Sequence, residues 1–133
     1  MASRLTEVIV DCHDLDRMVA LRCSALGHTT THSGDGWVAI RATGVDLTVT
    51  DLVAAAQPPA LAFVLVPEEK VTKNRVHVDL TPTDRTQADE VARLIGLGAS
   101  RCEVGQVSTP WIVLADPEGN EFCVMPSVES SLD

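Results

Sequence analysis

Two short stretches carry most of the chemistry available to this chain. NRVHVDL, from Asn74 to Leu80, spaces His77 and Asp79 two residues apart, and EFCVM, from Glu121 to Met125, spaces Glu121, Cys123 and Met125 in the same way. Residues two apart on a strand share a face. If both stretches are strands, His77 and Asp79 stand opposite Val76, Val78 and Leu80, and Glu121 stands beside Cys123. A third stretch, VIVDC from Val8 to Cys12, sets Asp11 beside Ile9 by the same rule. Three carboxylates and one imidazole then line one surface, where they could hold a divalent metal or move protons. The two aspartates have a plainer alternative, since matching residues of a repeat can bond loop backbone or cap a helix start. One histidine in a strand is an ordinary polar residue, so any site at His77 depends on partners from elsewhere.

The elements that must position these residues are written twice. VIVDC matches VHVDL, Ala25 to Gly27 (ALG) matches Gly96 to Gly98 (GLG), Trp37 matches Trp111, and Val66-Pro67 matches Met125-Pro126. The first three pairs are offset by slowly growing intervals and the last by a clearly shorter one. The first copy therefore carries extra residues between Trp37 and Pro67. In each copy a strand of period two, Val8 to Cys12 or Val76 to Leu80, leads into a helix, and the helix is followed by three short strands. The first helix has Asp14 as its expected N-cap and Gly27 as its stop; for the second, Asp84 is the expected cap and Gly98 the end. The closing strands are expected at Thr29–His32, Trp37–Arg41 and Leu61–Val66 in one copy, and at Arg101–Val104, Trp111–Ala115 and Glu121–Met125 in the other. The expected fold is α+β: two tandem βαβββ modules, residues 5–67 and 74–126, in a single domain spanning 1–133. Their sheets would form a curved, cup-like mixed sheet with helices outside, enclosing a trough for a ligand. The first module has an insertion near 42–60, where VDLTVT alternates like one more strand and LVAAAQPPA reads as a connector. It would serve as a lid, as a dimer arm, or simply as a longer hairpin.

Composition narrows the partners. A net charge of −9, with two Trp, two Phe and no Tyr, argues against nucleic acid and anionic membrane. No apolar run approaches the roughly 18 residues of a membrane span, and the N-terminal MASRLTEVIVDCHD lacks the features of a secretory signal. The expected location is cytoplasmic. Cys12, Cys23, Cys102 and Cys123 show no CxxC spacing and read as reduced, buried thiols. Cys123 on the trough face has no basic neighbour in sequence to lower its pKa. Trp37 and Trp111 read as sheet core or as stacking platforms for a flat ligand. His13, His28 and His32 read as exposed surface residues.

KNRVHVDL, the ALG and GLG helix exits, GWVAIR and WIVLADPEGNEFCVMP resemble the vicinal oxygen chelate superfamily (glyoxalase/bleomycin resistance/dioxygenase-like), and within it the small bacterial glyoxalase-like domain proteins. The resemblance runs from about Leu5 to Pro126. It implies a metal held by two ligands from each module, one on its first strand and one on its last. In the second module those positions are His77 and Glu121, suited to Zn, Ni, Mn or Fe; in the first they are Ile9 and Ala62, which cannot bind a metal. Without metal, His77 and Glu121 at hydrogen-bond distance would form a proton-transfer pair. The resemblance implies a protein, expected as a homodimer, acting on a small oxygenated metabolite by metal-assisted or acid-base chemistry centred on His77 and Glu121. Asp11, Asp79, Trp37, Trp111, Cys123 and Met125 would contact the ligand. The alternative is non-catalytic sequestration of a drug or antibiotic, as in bleomycin-resistance proteins. With half a cage, glyoxalase I activity itself is not expected.

Overall fold

A computed structural model describes residues 2–42, 58–105 and 108–128. The expected insertion, with its extra strand and connector, lies almost wholly outside the described residues. The chain divides into two compact units, Met1–Glu68 and Glu69–Asp133. Among the described residues, each contains one helix and a four-stranded mixed sheet.

In the first unit the elements are β1 (Glu7–Cys12), α1 (Leu15–Leu26), β2 (His28–Gly34), β3 (Trp37–Ala42) and β4 (Ala60–Leu65), with sheet order β1-β4-β3-β2. Helix α1 begins where Asp14, in extended backbone, accepts the Arg17 amide at 3.0 Å. It stops at Gly27, whose φ of +65° suits glycine. One sheet face packs on this helix: Cys12, Met18, Ile40 and Phe63 are buried, with Val10, Leu15, Val19, Cys23, Val38 and Leu61 around them. Alternation leaves Ile9 and Asp11 exposed on the other face.

The second unit repeats this order. Its elements are β5 (Asp79–Leu80), α2 (Gln87–Gly96), β6 (Ser100–Arg101), β7 (Ile112–Ala115) and β8 (Glu121–Val124), with sheet order β5-β8-β7-β6. Val91 and Leu94 of α2 are buried, as are Leu114, Phe122 and Val124 of the sheet, and α2 lies against β8. Gln87 ties the helix start to the sheet by donating to the carbonyls of Pro110 (2.8 Å) and Val124 (2.9 Å). The turn between β7 and β8 is organised by buried Asp116, whose Oδ1 accepts the amides of Glu118 (2.9 Å) and Asn120 (3.0 Å).

Two expectations need correction here. The N-cap of α2 is Thr86, whose hydroxyl accepts the Asp89 amide at 3.0 Å; Asp84 instead forks with Arg85 at 2.9 and 3.1 Å. The first strand of this unit is also shorter than its alternation suggests. The ladder holds Asp79 and Leu80 and is entered through the Val78 carbonyl, which accepts from the Cys123 amide at 3.0 Å. Partner strand β8 begins only at Glu121, so Val76 has no strand beside it and is 80% exposed instead of facing the helix.

The registers show how the two units correspond. In the first, Ile9 pairs with Ala62 and Asp11 with Val64; in the second, Asp79 pairs with Cys123. With Asp11 equated to Asp79 and Val64 to Cys123, Ile9 and Ala62 fall where His77 and Glu121 stand. No described helix is long and apolar enough to cross a membrane.

Candidate functional site

The face of the second sheet away from α2 carries a pocket of about 300 Å³ lined by Lys73, His77, Asp79, Val104, Trp111, Val113, Glu121, Cys123 and Met125. Alternation accounts for this lining. Phe122 and Val124 point to the helix, so Glu121, Cys123 and Met125 point to the pocket; Leu114 points to the helix, so Trp111 and Val113 do not. The second unit's predicted site residues, His77, Asp79, Trp111, Glu121, Cys123 and Met125, therefore meet in one place. Trp111 remains 39% exposed, more than a core tryptophan would.

The polar groups sort into two clusters. Glu121, its side chain only 10% exposed, accepts from the Lys70 ammonium at 3.0 Å through Oε1 and from the Asn74 amide at 3.0 Å through Oε2. Burial alone would raise its pKa, but the Asn74 amide and Lys70 outweigh burial and hold the carboxyl below its ordinary range. It is an ionised carboxylate with both oxygens engaged. The second cluster is His77, Asp79 and Cys123, with one possible donor atom from each lying within 4.8 Å of the others. His77 Nε2 stands 3.6 Å from Asp79 Oδ1, so the carboxylate that His77 approaches is that of Asp79. Burial first, then the charge and hydrogen-bond acceptance of Asp79, push the Cys123 thiol upward; the thiol keeps its proton and donates it to that carboxylate.

Asp11 and Trp37 belong to the first unit. Asp11 is exposed on β1. Trp37 opens β3 at 37% exposure, and a Cβ on Gly34 would collide with its indole. Of the other histidines, His13 is exposed, with Nε2 2.6 Å from the Glu68 carbonyl oxygen, whereas His28 and His32 are half-buried rather than on the surface. None of the four cysteines, all among the described residues, is in a disulfide; Cys12 and Cys123 are buried, Cys23 and Cys102 only partly so.

The metal arrangement implied by the resemblance does not fit these residues. Exposed Ile9 and buried Ala62 supply no donor, and an ammonium and an amide hold both oxygens of Glu121. Sequence reasoning assigned no role to the side chains of Lys70 and Lys73 or to the Asn74 amide, which lie between the two expected modules or at the start of the second. Parallel pairing was the available signal, because residues just upstream of β5 must run past the start of β8, where Glu121 sits.

A family model described as a glyoxalase-like domain matches residues 7–125. No curated protein gives a significant match. Among solved structures, the fosfomycin resistance protein FosX from Mesorhizobium loti is 15% identical, with a TM-score of 0.64 over 98% of this chain and 97% of that one. A glyoxalase/bleomycin resistance protein/dioxygenase family enzyme from Burkholderia phytofirmans is 18% identical, with a TM-score of 0.61 over 92% and 97%. FosX from Listeria monocytogenes, complexed with Mn(II) and sulfate, is 11% identical, with a TM-score of 0.66 over 98% and 94%.

Proposed function

Because the chain belongs to the glyoxalase-like domain family of the vicinal oxygen chelate superfamily, we propose that it acts on a small oxygenated metabolite held in the second unit's pocket, with His77 as the proton-handling group. The observation that carries this reading is the lining itself. Val104, Trp111, Val113 and Met125 offer apolar contact, while His77, Asp79 and Lys73 offer a few polar anchors, the usual make-up of a small-molecule site. His77 accepts or delivers a proton, and Asp79 Oδ1 stands 3.6 Å from its Nε2. The partner named from the resemblance was Glu121. Its commitment to Lys70 and Asn74 favours Asp79 for the task and leaves Glu121 to anchor the segment before β5.

The Mn(II) and phosphonate ligands named for FosX relatives support a small polar ligand in this family. A homodimer, as the resemblance implies, is part of the reading and is checked by light scattering. The sequestration reading gains from the same Glu121 clamp and from the donorless Ile9 and Ala62, which leave less machinery for turnover.

A thermal-shift screen of hydroxy acids, dicarbonyls and phosphonates tests binding, since a ligand specific to the folded state raises Tm. A hit should also change Trp111 fluorescence in a Trp37→Phe background and be lost in Val104→Trp, which fills the pocket. Turnover of the hit by the wild type and not by His77→Ala supports the enzyme, and binding without turnover supports sequestration. A hit unaffected by Val104→Trp overturns the pocket assignment.

A further inference from the structure

We propose that His77, Asp79 and Cys123 form a binding site for a thiophilic divalent cation of the Zn(II) class, built wholly within the second unit. The inference rests on the pocket reading above and names that pocket's cofactor; with the ion bound, His77 and Asp79 are its ligands, and the proton-handling role of His77 belongs to the metal-free pocket.

The donors come together through the sheet. Asp79 and Cys123 are register partners on neighbouring parallel strands, so their side chains leave the same face side by side. His77 precedes Asp79 by two residues and lines the same pocket. Zinc bonds of roughly 2.0–2.3 Å place tetrahedral neighbours about 3.3–3.8 Å apart. The His77 to Asp79 separation of 3.6 Å already lies in that range, and all three donors lie within 4.8 Å. The remaining closure is within reach of side-chain rotation, since the His77 and Asp79 side chains are 46% and 51% exposed. Buried Cys123 is the fixed anchor.

Donor chemistry selects the ion. One thiolate, one imidazole and one carboxylate suit Zn(II) or Co(II) better than Mg(II), Ca(II) or Mn(II), which prefer oxygen. The Cys123 proton leaves for solvent as the sulfur–metal bond forms, and thiolate and carboxylate together balance the two positive charges. Three protein donors beside an open pocket leave a fourth position for water or ligand, the pattern of catalytic rather than structural zinc. Glu121 takes no part, because the Lys70 ammonium holds one of its oxygens and repels a second cation.

Titration of chelator-treated protein with Co(II) tests the site. One equivalent should bind, giving a near-ultraviolet thiolate-to-cobalt band and the intense visible bands of a four-coordinate ion, both bleached by Zn(II). Cys123→Ser should lose the thiolate band. His77→Ala and Asp79→Asn should weaken Co(II) binding by more than about tenfold, the low end of what outer-sphere changes alone cost. Glu121→Gln should leave the band in place. No stoichiometric binding, cobalt bound without a thiolate band, a band surviving Cys123→Ser, or a band lost in Glu121→Gln would each overturn the proposal. Because His77 is exposed, His77→Ala keeps the test decisive should Cys123→Ser fail to fold. Ligand-induced thermal shifts measured with chelator present report on the pocket reading separately; if they persist while cobalt fails to bind, only the metal site is lost.

Discussion

Glu121 shows how neighbours set the job of a single side chain. A carboxylate held below its ordinary range contributes stability above its unfolded value and loses that contribution as pH falls through the lowered folded value. The reference value is 4.5, so the window lies below it, on the acid side. In urea denaturation, Glu121→Gln should be less stable than the wild type near neutrality, with the gap closing as pH falls below 4.5. Lys70→Met should cost about 1.5–3 kcal/mol near neutrality, the worth of a hydrogen bond to a charged group. Cys123 moves the other way. Burial and Asp79 keep its thiol protonated, and the thiolate is the reactive form. Iodoacetamide should modify Cys123 slowly, and Asp79→Asn should speed the reaction severalfold by removing the second of those causes, as read from the Cys123 peptide by mass spectrometry. No change in rate would mean that burial alone protects the thiol.

At the scale of elements, local sequence decides the ends of helices and turns. Gly27 sits at φ +65° with nothing within 4 Å of a Cβ built on it. Gly27→Ala should therefore cost about 1 kcal/mol from backbone conformation alone. Asp14→Ala and Thr86→Ala should each cost about 1 kcal/mol by orphaning an amide in the first turn, whereas Asp84→Ala should cost far less because Asp84 caps nothing. Equal costs for Thr86→Ala and Asp84→Ala in chemical denaturation would contradict the cap assigned to α2. The αL glycine and the Asp14 cap were legible in the sequence because both act within a few residues of themselves. The α2 cap was not, because Asp84 and Thr86 both suit the position and the neighbouring Arg85 draws Asp84 away.

At the scale of the whole molecule, the described residues form two sheets of the same topology with one helix each, and each sheet has a buried phenylalanine on the strand next to its first. Phe63 and Phe122 are 0% and 1% exposed, and truncating either to alanine should cost about 3–5 kcal/mol. Hydrogen exchange should show Phe63→Ala loosening amides of β1, β3 and α1 first, and Phe122→Ala those of β7 and α2. Uniform loosening across both units would mean that they unfold as one.

The sequence by itself determined the α+β fold, the two repeated modules and the side of each closing strand that faces its helix, because period-two and helical patterns record which residues must leave water. It also marked Ile9 and Ala62 as empty of donors, since the repeat carries its own register. Only the tertiary structure decided which carboxylate belongs to which partner. Lys70 and Asn74 reach Glu121 across 51 and 47 residues of sequence, and Asp79 meets Cys123 only because β5 pairs with β8. Contacts of that kind follow from how strands line up, and no local pattern of residue types encodes them.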